Sequence, residues 1–85
     1  MDSHRCRVCG LWSEDEPWGL DGRSPTYFIC DCCGAEAGYE DVLPAAARTH
    51  REGWLARGAP WFEPKAKPDD WDLDEQLRHV PEEFR

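Results

Sequence analysis

The chain has 85 residues, five cysteines, five tryptophans and a formal net charge of −8, which suits one small acidic domain over 1–85 and excludes a second core. Leu, Ile, Val and Phe together supply 13 residues, about 15% of the chain and below the roughly 20% that marks highly charged chains as disordered. A domain with so thin an apolar core is expected to rely on its cysteines, through a metal or through disulfides.

From the N-terminus, Met1-Asp2-Ser3-His4-Arg5 carries no apolar signal segment, and no run approaches the roughly 18 apolar residues of a spanning helix. The expectation is a cytoplasmic protein with no membrane partner. In a reducing compartment an odd number of cysteines favours metal ligation, or a reactive thiol, over a disulfide framework. The strongest motif is Cys6-Arg7-Val8-Cys9-Gly10 followed, after twenty intervening residues, by Cys30-Asp31-Cys32-Cys33-Gly34. Two residues between ligands let the chain curl so that both sulfurs reach one tetrahedral cation at about 2.3 Å. The glycine after each second cysteine suits the positive φ that such a turn leaves there. Cys6, Cys9, Cys30 and Cys33 are therefore the expected metal ligands, with zinc as the cofactor and iron as the alternative that the same donors accept. Cys32, adjacent to Cys33, would need a distorted loop to reach the same ion. It reads as a small buried filler or, alternatively, as a redox-sensitive thiol.

Between the knuckles, Leu11-Trp12 and Tyr27-Phe28-Ile29 are expected to form two short antiparallel strands, joined through turns at Pro17-Trp18-Gly19 and Asp21-Gly22. A third strand is expected at Tyr39-Glu40, and Trp12, Trp18 and Phe28 are expected to cover the metal. Asp41 can cap a helix over about 42–57, with Pro44 in its first turn and Gly58 past its end. Its apolar stripe is Leu43, Ala46, Ala47, His50 and Trp54, with His50 as a satisfied core histidine, while Arg48, Arg51 and Glu52 lie outside the stripe. Pro60 to Pro68 reads as an ordered connection. Asp72 with Glu75 makes a capping-box variant for a short helix from Leu73 to about His79.

Paired Cys-x-x-Cys-Gly knuckles with Trp12, Trp18 and Tyr27-Phe28-Ile29 between them resemble the zinc-ribbon and rubredoxin-like group. Ile29-Cys30-Asp31-Cys32-Cys33-Gly34 is similar to small bacterial cysteine-rich proteins in which a Cys-Pro-Cys-Cys-Gly motif follows a strand, with Asp31 in place of the proline. The resemblance implies that the four knuckle cysteines carry the metal. The expected fold is thus a small α+β protein: a zinc ribbon over 4–41, with two zinc knuckles on a short antiparallel β-sheet, then an amphipathic helix and a short C-terminal helix over 42–80.

Charge divides the chain into blocks of −6 over 1–41, +3 over 42–67 and −5 over 68–85. The two acidic blocks oppose nucleic-acid phosphate and favour a basic protein partner. The sequence shows no Ser/His/Asp arrangement, no Gly-rich phosphate loop and no sign of a small-molecule substrate, and four cysteines close a tetrahedral site. The expectation is a non-enzymatic, acidic interaction module, of the kind that inhibitor or immunity proteins exemplify. Its candidate partner surface is Trp61, Trp71, Asp69, Asp70 and Asp74. A rubredoxin-like electron carrier and a redox sensor acting through Cys32 are the alternatives.

Overall fold

The computed structural model describes residues 3–85; Met1 and Asp2 lie outside the described residues. Two helices, α1 over Pro44–Ala56 and α2 over Leu73–Leu77, and two single 3₁₀ turns, Pro64–Ala66 and Glu82–Phe84, follow an N-terminal half built of turns. No helix is long and apolar enough to cross a membrane among the described residues.

The expected zinc-ribbon sheet is absent: no β-strand forms among the described residues, and the α+β expectation is corrected to two helices on a turn-built cysteine half. Two isolated antiparallel bridges stand in place of the sheet, Arg5 with Trp12 and Ile29 with Glu36. Each closes its own knuckle. Around the first, Cys6 N–H donates to the Leu11 carbonyl at 2.9 Å and Ser13 N–H to that of His4 at 2.9 Å. Around the second, Cys30 N–H donates to Ala35 at 2.9 Å and Ala37 N–H to Phe28 at 2.9 Å. Cys6, Ser13, Cys30 and Ala37 have thereby spent within their own knuckles N–H groups that a sheet between the knuckles would need. Tyr27 adds a second obstacle, because its φ of 62° takes it out of the extended region. Tyr39, expected in a third strand, lies in a turn in which its N–H donates to Glu36 at 3.0 Å.

The knuckles are copies at an offset of 24 residues, with Cys6, Val8, Cys9 and Gly10 matching Cys30, Cys32, Cys33 and Gly34. Their cysteines, with Val8 and Cys32, form the floor of the core, and Ala35, Ala47, Trp54, Ala59, Trp61, Val80 and Phe84 complete it. Helix α1 presents Ala47 and Trp54 to this floor, and the Trp54 indole N–H donates to the Pro60 carbonyl at 2.8 Å. Leu43, assigned to the buried stripe from sequence, is instead the exposed N-cap residue of α1, without a side-chain cap bond. The expected cap, Asp41, is buried and committed elsewhere, accepting the Trp18 indole N–H at 2.8 Å and Gly38 N–H at 2.9 Å. At the other end, Gly58 at φ 90° donates to Leu55 and Ala59 to Trp54, a pair of bonds that satisfies the last carbonyls of α1. Asp72 caps α2 by accepting the Glu75 N–H at 3.2 Å, and α2 ends at Leu77 rather than His79.

Candidate metal centre

The Sγ atoms of Cys6, Cys9, Cys30 and Cys33 all lie within 4.8 Å of one another, and all four residues are buried. The pairs that join the knuckles are closer, 3.7 Å for Cys6–Cys33 and 3.6 Å for Cys9–Cys30. Four thiolates about 2.3 Å from one cation stand about 3.8 Å apart by tetrahedral geometry. The donor set therefore fits a four-coordinate metal ion. Without a cation the group is badly matched to its surroundings. Burial pushes the Cys9 thiol well above its ordinary value, while hydrogen bonds from Cys33, Cys6 and Cys9 pull Cys30 down. A divalent cation resolves the conflict, because all four sulfurs can then be thiolates.

The knuckles hold this geometry because every carbonyl at their tips has a donor from the C-terminal half. In the first knuckle, Arg51 donates from Nε to the Val8 carbonyl at 2.6 Å and from Nη2 to that of Arg7 at 3.4 Å, while the Gln76 amide donates to Cys9 at 3.3 Å. In the second, the backbone N–H groups of Glu63 and Phe62 donate to Asp31 at 2.8 Å and to Cys32 at 3.0 Å, and His50 Nε2 donates to Cys33 at 3.2 Å. Equivalent carbonyls are thus satisfied by different means, a side-chain fork in one knuckle and an extended backbone in the other. His50 is half-buried, and its ring is satisfied by the Cys33 carbonyl.

Arg51 does a second job. Four thiolates and a divalent cation leave a net −2, and the Arg51 guanidinium stands close enough to Cys6, Cys9 and Cys33 for their charge to raise its pKa, although burial, the larger effect, lowers it. Sequence periodicity placed Arg51 outside the apolar stripe and so missed it. The available signal was the charge of the site itself, which calls for a cation nearby. Gln76 was missed because nothing in a short polar helix marks one glutamine as buried.

Cys32 is fully buried and stands where Val8 stands in the first knuckle. Its sulfur accepts the Gln76 amide at 3.3 Å, and it is not among the four clustered ligands. Of the expected metal cover, Phe28 lines a narrow cleft with Cys6 and Cys30. Trp12 is 51% exposed, stacked on His4 at 5.2 Å. Trp18 sits against Arg7 instead, whose guanidinium lies 3.9 Å from the Trp18 ring centre and 4.5 Å from that of Phe84.

The expected partner surface divides. Trp61 is buried, edge-on to Trp71 with ring centres 5.5 Å apart, and its indole N–H has no acceptor among the described residues. Trp71 is half-buried, donates its indole N–H to Gln76 Oε1 at 2.8 Å and lies under Lys67 at 5.4 Å. Asp69, Asp70 and Asp74 are exposed. The tryptophans thus brace the Gln76 contact to the metal centre, and the aspartates alone face solvent.

No family model, curated protein or solved structure matches the chain.

Proposed function

We propose that this chain is a non-catalytic zinc-binding protein of a reducing compartment, in which the four-cysteine site is structural and the acidic surface docks a basic protein. The observation that carries the reading is closure of the site. All four sulfurs are buried, and the knuckle tips are tied down by Arg51, Gln76, His50 and the backbone at 62–63. Zinc needs no open position for a structural role, and four thiolates leave none for a substrate or a water. Zinc rather than iron follows from the proposed absence of any redox task. Cys6, Cys9, Cys30 and Cys33 would hold the ion, which when bound supplies charge neutralisation and cross-linking of the knuckles.

Metal analysis with a visible spectrum tests the first half. The expected protein is colourless with one zinc per chain; a red protein that bleaches reversibly on reduction would establish the iron carrier instead. The second half predicts that a basic host protein retained by the native chain is released when Asp69, Asp70 and Asp74 are all changed to Asn. Retention independent of both charge and salt would contradict it.

A further inference from the structure

Neither the metal centre nor the core around it accounts for Tyr27 and Tyr39. Tyr27 occupies the left-handed region at φ 62°, where a bulky residue is strained. Burial does not repay that strain, since Tyr27 is 57% and Tyr39 66% exposed. Their rings stand 6.0 Å apart at 60°. Gly38, at φ +100°, makes room for the arrangement, because a Cβ there would come within 3.0 Å of both the Tyr27 ring and Pro25 Cβ. Neither tyrosine hydroxyl has a hydrogen-bond partner among the described residues. The backbone is strained to hold two aromatic rings in water.

Charge names the occupant. Between Arg23 and Arg48 the sequence has no Lys or Arg, but it has Asp31, Glu36, Glu40 and Asp41. Asp41 is buried and bonded, whereas Glu36 and Glu40 share the turn that carries Tyr39, with Glu40 Oε2 accepting the Glu36 N–H at 2.7 Å. Aromatic faces carry negative potential, and a guanidinium can stack on one while its edge donates to carboxylates. The chain uses this chemistry internally, where Arg7 lies between Trp18 and Phe84.

We propose that the Tyr27–Tyr39 pair is the docking point for an arginine-bearing segment of a basic protein partner, with Glu36 and Glu40 completing the charge match. This rests on the reading of the chain as an acidic binding module, and it adds to the C-terminal aspartates a contact at the turn between the second knuckle and α1.

The experiment is a titration of the metal-loaded full chain with a hexa-arginine peptide at about 0.1 M salt, followed by amide and tyrosine-ring chemical shifts and by melting temperature. Shifts are expected to concentrate at Tyr27 and 36–40. Tyr27→Gly, which relaxes the left-handed strain, is expected to weaken binding about fivefold or more without lowering the melting temperature. Tyr39→Ala should weaken binding similarly. If Tyr27→Gly binds as tightly as the parent while the triple Asn change at 69, 70 and 74 abolishes binding, this docking point is overturned and the acidic module stands. If the peptide produces no shifts anywhere, both readings fall. A markedly lower melting temperature for Tyr27→Gly would make the pair structural and overturn the proposal. So would the same shifts appearing on concentration of the chain without peptide, which would make the occupant a second copy.

Discussion

Arg51 shows how much one side chain carries in a protein with so little core. Its guanidinium satisfies the Val8, Arg7 and Phe84 carbonyls at once, joining α1 to the first knuckle and to the C-terminal turn. Arg51→Met keeps the length of the stem and removes those donors and the charge opposite the thiolates. The expected cost is about 3 kcal/mol or more in denaturant unfolding, with metal affinity about 10- to 100-fold weaker in competition with a chelator. An unchanged metal affinity would show that the charge of Arg51 does not act on the centre. Cys32 makes the opposite case. Val8 occupies the equivalent place in the first knuckle and is equally buried, so Cys32→Val should retain one metal per chain and cost about 1 kcal/mol, mostly the lost Gln76 contact. Loss of the metal in that variant would make Cys32 a ligand. The four ligands were legible in the sequence because their spacing is itself the chemistry. Cys32 as a small buried filler was legible too, and its place opposite Val8 in the other knuckle gives the packing reason.

Among the elements, the knuckles are the organisers and the helices are fitted to them. The glycine of each knuckle shows how. Gly10, at φ +84°, lies directly under the Gln76 carbonyl and the Val80 N–H, so a Cβ would collide with the backbone that follows α2. Gly34, at φ +76°, has the Phe62 side chain as its nearest neighbour, 3.1 Å from where a Cβ would sit, and that side chain is 61% exposed. Both alanine variants suffer the positive φ, about 1–3 kcal/mol, but Gly10→Ala must also displace α2. Thermal or denaturant unfolding should therefore show Gly10→Ala as the more damaging by at least about 1 kcal/mol; equal losses would mean that α2 does not seat on the first knuckle. The two helices were readable from proline, glycine and capping signals. The strands were misread because short apolar runs beside a cysteine motif predict extended chain without saying what that chain pairs with. Here Leu11, Phe28 and Ala35 spend their carbonyls within their own knuckles, and Tyr27 turns out of line. Asp41 looked like a helix cap for its place before Pro44, yet its carboxylate is taken by the half-buried Trp18 indole N–H and by Gly38 N–H.

At the level of the whole molecule, the composition and the structure agree on where stability resides. With about 15% large aliphatic and Phe residues, the buried set is dominated by five cysteines, four alanines and two tryptophans, and the cysteines sit at its centre. Among the described residues no backbone hydrogen bond joins the first knuckle to the second, so a bound metal would be the direct link from Cys6 and Cys9 to Cys30 and Cys33. In such sites metal binding and folding are one process, worth on the order of 10 kcal/mol. Chelation should then collapse the amide dispersion of residues 3–41, and Cys33→Ser should reproduce the collapse. The most direct test is a zinc titration of the chelated chain followed by amide chemical shifts. The account predicts that dispersion returns cooperatively and saturates at one equivalent; a chelated chain that keeps its full dispersion before any zinc is added would contradict it.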